Sequence, residues 1–167
     1  KKLLKFSKTD LVILIITLIV TATVGIIEGI FAGVTLSIIL LIYKITFPHM
    51  AILGKVPETN FYRNKKRFNE VEIHDEILII RFDSQLHFAN TAYFKDKIED
   101  YSKLKGNGLK LLVLDGESIN RIDSSAIFTL IELLDYFNQK EVIMAFTSLK
   151  GPVRDKIINS GFMEKAN

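Results

Sequence analysis

The sequence predicts a small α/β domain, a mixed sheet with helices packed on it, preceded by two short membrane helices. Two long apolar runs, at 11–24 and 30–43, come first. From residue 70 onward, short apolar runs typical of strands alternate with stretches in which apolar residues recur every three or four positions, as in helices. Charge divides the chain in a similar way, since residues 1–68 hold ten Lys or Arg and three Asp or Glu, whereas residues 69–167 hold twelve and sixteen. We therefore expect two parts of different chemistry.

The two apolar runs are each too short to cross a bilayer as a separate helix, since a membrane-spanning helix needs about 20 apolar residues. As one straight helix, residues 11–43 would extend about 50 Å, which is too long for a single crossing. Lysines flank both outer ends, and positive flanks tend to stay on the cytoplasmic side. We therefore expect two short membrane helices that enter and return, with a buried hairpin of a soluble protein as the alternative.

The predicted turn of this hairpin lies between the two runs, near Gly25. Gly25, Gly29 and Gly33 are spaced by four and would form one face of small residues for packing against further membrane helices. Glu28 is the acidic residue between the runs, and a carboxylate inside a membrane is a candidate functional group. The simpler interpretation is that Glu28 caps the second helix or faces water at the turn.

The rest of the chain predicts alternating strands and helices. The predicted elements are strands at 70–73 and 77–82, a helix capped by Asn90 that ends near Gly106, a strand at 110–114, a helix at 124–138, a strand at 142–146, and a helix from Gly151-Pro152 to Gly161. The first two strands are expected to form a hairpin. The first of these helices is expected to bury one face, formed by Phe94, Ile98, Tyr101 and Leu104. Strand–helix–strand order implies at least one parallel pair.

The loop Asp123-Ser124-Ser125 connects the strand at 110–114 to the helix at 124–138. Asp and Ser are typical N-cap residues, because a side-chain oxygen accepts from the free amides of the first turn. A loop with these groups at a helix N-terminus often holds a phosphate or presents a recognition surface. From the residues alone, a plain helix cap and a ligand or partner loop both stay open.

Several kinds of site are not supported by the sequence. It contains no cysteine, which excludes disulfides and thiol chemistry. His49, His74 and His87 show no ligand spacing, so we expect no metal site. There is no Gly-x-Ser-x-Gly, HExxH or P-loop motif, so we predict no catalytic residue, no enzymatic activity and no cofactor. The basic cluster at 63–67 adjoins the membrane part, and we interpret it as facing anionic headgroups rather than nucleic acid.

Four parts of the sequence carry a family resemblance. They are the pair of apolar runs, residues 53–59 (LGKVPET) with Tyr62-Arg63, residues 81–90 (RFDSQLHFAN), and residues 122–126 (IDSSA). In this order they resemble the last two membrane helices of the SulP family of anion transporters, the connector that follows them, and the strand-to-helix segment and signature loop of the cytosolic STAS domain. Any one of these motifs would be weak, but four in the family's order are specific.

The resemblance implies the C-terminal part of a SulP-type secondary transporter for sulfate, bicarbonate or a related anion. Residues 1–45 would be the last two membrane helices, 46–68 a linker, and 69–167 an α/β STAS domain. The family usually has a further strand and helix where this sequence stops, so truncation at the C-terminus is left open. The implied location is the cell membrane, with several passes in the whole protein and the STAS domain in the cytoplasm.

The resemblance also implies partners. The first two helices would pack against the rest of the transporter membrane domain in the lipid bilayer, the whole protein would form a homodimer, and the STAS domain would dock a cytosolic protein. No substrate site is expected in this chain. In anti-sigma factor antagonists, a kinase phosphorylates the serine that follows the Asp of the STAS loop, which is Ser124 here. The alternative is therefore a membrane-tethered regulator of that type, although Ala126 stands where its pattern usually has Gly.

Overall fold

The computed structural model describes residues 8–166 and divides into two compact units. The first unit ends at Thr46 and the second begins at Phe47. In the first unit, helix α1 (Lys8–Thr23) is joined to helix α2 (Ile26–Thr46) by a short turn that contains Gly25. The helix pair therefore has its turn where the sequence predicted one.

Glycines on α2 let the two helices of this unit approach closely. A Cβ atom added at Gly29 would lie 2.9 Å from the Cα atom of Thr21, and one added at Gly33 would lie 2.9 Å from Oγ1 of Thr17. The step from Gly29 to Gly33 along α2 therefore matches the step from Thr21 back to Thr17 along α1, as in antiparallel packing. Because glycine has no side chain, the backbones come closer than larger residues would allow. At these two positions the face of small residues contacts α1, whereas the sequence interpretation placed it against further membrane helices.

Large apolar side chains cover the outside of this unit, and Leu18, Phe31 and Ile42 are each more than half exposed. Hydroxyl groups are satisfied within the helices, since Thr21 and Ser37 donate to the carbonyl oxygens four residues earlier. Helix α2 has 21 residues with a mean hydropathy of 2.2, and among the described helices it alone has the length and composition to cross a membrane. Helix α1 is shorter, at 16 residues. A second membrane helix therefore remains a prediction.

The second unit is built on a five-stranded sheet in the order β2-β1-β3-β4-β5. Its strands are β1 (Met50–Lys55), β2 (Tyr62–Asn64), β3 (Ile77–Phe82), β4 (Leu111–Asp115) and β5 (Ile143–Thr147). Strand β1 pairs antiparallel with β2 and with β3, whereas β4 lies parallel to both β3 and β5. The sheet is mixed, as predicted, and contains two parallel pairs.

Helices connect and follow the parallel strands. They are α3 (Thr91–Lys105), α4 (Ser124–Asn138), α5 (Gly151–Asn159) and α6 (Phe162–Ala166), with a single 3-10 turn at Gly106–Gly108 after α3. Alternate residues of β3 and β4 are buried, as expected for strands with one face on a core. The core includes Leu78, Ile80, Phe82, Phe94, Ile98, Leu112, Leu114, Leu130, Leu133 and Phe137. The rings of Phe82 and Phe94 meet edge to face with centroids 5.1 Å apart, which fixes α3 against the sheet.

One residue of the predicted buried face of α3 is exposed. Phe94 and Ile98 are fully buried and Tyr101 packs partly against the core, but Leu104 is 80% exposed. Ser102 is buried instead. At about 100° per residue, Ser102 lies about 40° around the helix from Ile98, whereas Leu104 lies about 120° away. The spacing therefore predicted the first two turns of this face correctly and its end wrongly.

The segment expected to be a linker, 46–68, contains β1 and β2, which is a correction to the sequence interpretation. Strand β1 pairs with β3 and so takes the place expected for 70–73, where the structure has no strand. Glu72 makes only a bridge to Lys55. Gly54 allows this crossing, since a Cβ atom there would lie 2.9 Å from the carbonyl oxygen of Glu72. The longer and more apolar β1 is the better partner for β3.

A chain that begins at Asn69 should be less stable than one that begins at Phe47. Loss of β1 removes the buried side chains of Met50, Ala51 and Leu53 and leaves one edge of β3 unpaired. We expect the free energy of unfolding to fall by at least about 3 kcal/mol, measured by denaturant unfolding followed by circular dichroism. Equal stability of the two chains would contradict the pairing of β1 with β3.

Candidate functional site

The candidate site lies where the parallel strands end. Loops follow the carboxyl ends of β3, β4 and β5, and the carboxyl ends of parallel strands meet at one edge of a sheet. The loop after β3 spans 83–90 and the loop after β4 spans 116–123. The two loops pair with each other: the N–H of Leu86 donates to the carbonyl oxygen of Arg121 at 3.1 Å, and the N–H of Asp123 donates to that of Leu86 at 3.3 Å. Loops at such an edge commonly carry the functional groups of an α/β fold.

Asp123 connects the two loops through both oxygens of its carboxylate. Oδ1 accepts from the N–H of Ala126 at 2.9 Å, which is the helix cap expected from the sequence. Oδ2 accepts from the N–H of Phe88 at 2.8 Å, in the loop after β3. One side chain therefore starts α4 and fixes the position of the neighbouring loop.

The surroundings of Asp123 favour its charged form. Burial would raise the pKa of this carboxyl, but the hydrogen bonds from Ala126 and Phe88, together with the nearby His87 and Lys156, outweigh burial and hold the pKa below its usual range. The Lys156 Nζ also donates to the carbonyl oxygen of Ile122 at 3.0 Å, so α5 contacts the same loop. Asp123 is thus an ionised residue with fixed partners.

Ser124 and Ser125 occupy the first turn of α4, and both are exposed. The backbone carbonyl oxygen of Ser125 accepts from the Thr129 hydroxyl at 3.1 Å. Two large aromatic side chains are also exposed, Phe88 in the loop after β3 by 76% and Phe128 on α4 by 66%. The candidate site therefore presents hydroxyl groups and aromatic rings to solvent, as a docking surface would. The docking role of these serines remains a prediction.

Asn90 was predicted to cap α3, and it stands at the N-cap position, but its side chain makes no capping hydrogen bond. The side chain is buried and turns back into the preceding loop. Its Oδ1 accepts from the N–H of His87 at 3.0 Å, and its Nδ2 donates to the carbonyl oxygen of Gln85 at 3.0 Å. Asn90 therefore stabilises the shape of the loop that carries Phe88.

A charged cluster that the sequence interpretation missed lies beside this loop, around Asp83. Arg81 Nε donates to Asp83 Oδ1 at 2.6 Å, and His49 Nδ1 lies 2.7 Å from Asp83 Oδ2. Burial would raise the pKa of Asp83, but the hydrogen bonds with Arg81 and His49 lower it below its usual range. The Arg81–Asp83 spacing was visible in the sequence. The position of His49 was not, because it depends on the pairing of β1 with β3.

The surface next to this cluster is open and polar. The depression is lined by Asp83, Ser84, Gln85, Glu117, Ser118, Asn120 and Lys150. Lys150 Nζ donates to the side-chain oxygen of Asn120, so this cation is already engaged within the protein. Within residues 8–166, no group of three or more His, Cys, Asp or Glu side chains is placed to hold a metal ion. The arrangement favours a contact surface over an enclosed ligand site.

The residues singled out in the first unit belong to a separate part of the molecule. Gly25 lies in the turn, and Glu28 is exposed in the first turn of α2. An acidic side chain in the first turn is favoured by the helix dipole, which is consistent with the simpler interpretation of Glu28. The position of Glu28 therefore does not require a functional role for its carboxylate.

Comparison with known proteins identifies a family and several relatives of this chain. The STAS domain family matches residues 69–166. The chain is 32% identical over 137 residues to sulfate transporter 4.1, chloroplastic, and 29% identical over 137 residues to probable sulfate transporter 4.2, both from Arabidopsis thaliana. Each match covers 77% of this chain and 20% of the relative, so the chain spans about a fifth of the length of these curated relatives.

Among solved structures, the fold is similar to that of the murine Solute Carrier 26 family member A9 (Slc26a9) anion transporter in the inward-facing state. The TM-score is 0.82 with 24% sequence identity, and the match covers 98% of this chain and 26% of that one. A second structure of SLC26A9 gives a TM-score of 0.79 with 23% identity. At this identity the similarity supports the fold.

Asp123→Ala should lower the free energy of unfolding by about 1–2 kcal/mol, because it removes the cap of α4 and the acceptor of the Phe88 N–H. Asp135→Ala, at an exposed position of the same helix, is the control.

Because the folded pKa of Asp123 lies below its unfolded value, the contribution of the charge is complete above about pH 4 and is lost as the pH falls through the folded pKa. Denaturant unfolding at neutral and acidic pH should show that Asp123→Ala lowers the free energy of unfolding by less in acid than at neutral pH. If Asp123→Ala lowered the free energy of unfolding equally at both pH values, the charge of Asp123 would have no role in stability.

Proposed function

Because the chain belongs to the STAS domain family, we propose that it is part of a SulP-type secondary anion transporter, with its first unit in the membrane and its second unit regulating the transporter. The resemblance to SulP transporters is confirmed by the similarity to sulfate transporters. One observation carries the proposal: this similarity covers 77% of the chain, whereas residues 69–166 make up less than two thirds of it. Similarity to transporters therefore continues outside the STAS domain.

The proposed membrane region is the pair of helices α1 and α2. The length and apolar composition of α2 support a membrane span, and so do the apolar side chains on the outside of the pair. For the shorter α1, we propose that other helices of the whole transporter cover it in the bilayer. Lys8 and Lys44 lie near the outer ends, and such positive flanks favour the cytoplasmic side. The second unit would then lie in the cytoplasm, below a multi-pass cell membrane protein.

The transported anion would bind outside this chain. Between Lys8 and Lys44 the sequence has no Lys, Arg or His, and its one carboxylate beyond Asp10 is Glu28. An apolar helix pair without a cation offers no counter-charge for an anion inside a membrane. We therefore place the binding site for sulfate, bicarbonate or a related anion in the membrane domain that this pair would complete.

The second unit would serve regulation, assembly of a homodimer, or docking of a cytosolic protein. The surface proposed for docking is the exposed region around Ser124, Phe88 and Phe128. Asp123 bonds to both the loop after β3 and the start of α4, so a partner bound there would act on both elements at once. The role is non-enzymatic, in keeping with the transporter relatives.

A second function is favoured by the exposure of Ser124 beside Asp123 at the N-terminus of α4. The chain would then be a membrane-tethered regulator of the anti-sigma factor antagonist type, switched by phosphorylation of Ser124. A phosphate at this helix end would be stabilised by the free amides of the first turn. It would also place negative charge next to the Asp123 carboxylate, which opposes the present loop geometry.

The natural protein that contains this chain should resist extraction from membranes by alkaline carbonate and should take up labelled sulfate. Gly29→Val should reduce insertion and uptake, because a side chain at Gly29 meets Thr21 of the neighbouring helix. Ala22→Val adds bulk at an exposed position of α1 and is the control. Complete release of the unmodified protein by carbonate would contradict the membrane position, and retention without uptake of sulfate, bicarbonate or a related anion would contradict the transport function.

Substitutions of Ser124 separate the two functions. If the second unit serves as a docking module, Ser124→Ala should leave uptake by the natural protein largely unchanged, as should the neighbouring control Ser125→Ala. If Ser124 is a phosphorylation switch, Ser124→Ala should abolish the regulated activity and Ser124→Asp should restore it. Labelled sulfate uptake together with mass spectrometry of the Ser124 peptide makes the distinction.

A further inference from the structure

Residues 61–68, named here the basic segment, form β2 and the turn after it at one edge of the sheet. The segment has four exposed cations, Arg63, Lys65, Lys66 and Arg67. We propose that it binds the headgroups of anionic lipids and holds the second unit against the membrane surface. This inference rests on the membrane position proposed above for α2.

The charges of the basic segment are not neutralised by ion pairs within residues 8–166. None of the ion pairs found in residues 8–166 includes any of its four cations. The acidic residues nearest in sequence are Glu58, Glu70 and Glu72, so residues 55–72 hold five cations and three carboxylates. A positive excess therefore remains on this edge, and a negatively charged surface would complement it.

The turn that carries these cations is held by its backbone and by one buried side chain. Asn64 is buried, and its Oδ1 accepts from the N–H of Lys66 at 2.9 Å. Its carbonyl oxygen accepts from the N–H groups of Arg67 at 3.0 Å and Phe68 at 3.1 Å. The N–H of Lys65 donates to Ile52 of β1 at 3.0 Å. Backbone hydrogen bonds and the Asn64 side chain therefore hold this turn, and the side chains of its four cations are exposed.

Aromatic side chains surround the cations. Phe61 is 68% exposed, Tyr62 47% and Phe68 48%, and the Arg63 guanidinium lies 5.8 Å from the centroid of the Phe68 ring. Cations alone would be enough to keep a sheet edge from pairing with another sheet. Exposed rings add apolar surface that such protection does not need, whereas rings interleaved with cations are typical of segments at a membrane interface.

The connection to α2 favours a membrane over a soluble polyanion. Strand β1 begins at Met50, four residues after α2 ends at Thr46, and β2 pairs with β1. The basic segment is therefore tethered by a short stretch of chain to the helix that is long and apolar enough to span a membrane. An RNA or an acidic protein would have to reach the same segment from solution.

The test uses the full chain in nanodiscs of phosphatidylcholine alone or of phosphatidylcholine mixed with phosphatidylserine. Lysine acetylation is followed by mass spectrometry, with the exposed Lys140 as the internal reference. We expect modification of Lys65 and Lys66 to be slower in the anionic nanodiscs, on the order of tenfold at low salt, and the difference to disappear at high salt. Equal rates in the two lipids would overturn the proposal.

Two charge variants complete the test, read out by amide hydrogen exchange of residues 61–68. In the first variant the four cations of the basic segment are changed to Gln (R63Q, K65Q, K66Q, R67Q). The second variant changes four exposed cations elsewhere (K103Q, K140Q, R154Q, K165Q) and has the same net charge. Anionic lipid should slow exchange in the unmodified chain and in the second variant, but not in the first. Slowing in all three, or in none, would overturn the proposal.

Other outcomes distinguish lipid binding from binding of a soluble polyanion, and the lipid contact from the membrane position of α2. Protection of Lys65 and Lys66 by an RNA oligonucleotide or an acidic peptide in neutral nanodiscs, without protection by phosphatidylserine, would overturn the lipid proposal in favour of a soluble polyanion. Failure of the chain to stay in neutral nanodiscs would count against the membrane position of α2, and so against the proposed function itself. Retention in both nanodiscs with equal acetylation rates would count against the lipid contact alone.

Discussion

The candidate site depends on the carboxylate of Asp123. A single side chain caps α4 through Ala126 and accepts from Phe88 in the loop after β3, so two parallel strand–loop–helix units are joined where they end. The buried side chains of Leu86 and Ile122 lie beside this contact. The hydrogen bond to Ala126 is partly buried, the one to Phe88 is exposed, and a charged acceptor strengthens both. Removal of this carboxylate would leave two backbone amides without their acceptor.

The folded unit extends beyond the part of the chain that the STAS family matches. Strand β1 lies before residue 69, yet it pairs with β3 along four residues and covers one edge of it. His49, just before β1, binds Asp83 at the end of β3 through both its backbone and its side chain. The residues that follow α2 in sequence are thus structural members of the sheet. His49 thus connects the start of β1 to the beginning of the loop after β3.

Much of this fold could be predicted because its strands and helices have clear local patterns. Strands β3, β4 and β5 and helix α4 begin and end within one residue of the predicted bounds. The linker prediction was wrong because prolines and charges are typical of connectors, whereas the pairing of β1 with β3 joins distant parts of the chain. Likewise, the Asp123 cap was visible as Asp-Ser-Ser before an apolar repeat. Its second hydrogen bond reaches a residue 35 positions away, and no local pattern indicates such a contact.

The hydrogen bonds of the turn after β2 involve the buried Asn64 and backbone groups, not the charged side chains of Lys65, Lys66 and Arg67. Since the turn after β2 is held by Asn64 and by backbone hydrogen bonds, the side chains of Lys65, Lys66 and Arg67 can be exchanged without loss of these hydrogen bonds. Surface substitutions of this kind usually change stability by little. Mutation can therefore adjust the electrostatic attraction of this edge to its surroundings in small steps while the domain stays folded. The same fold can therefore carry different numbers of charges at this edge.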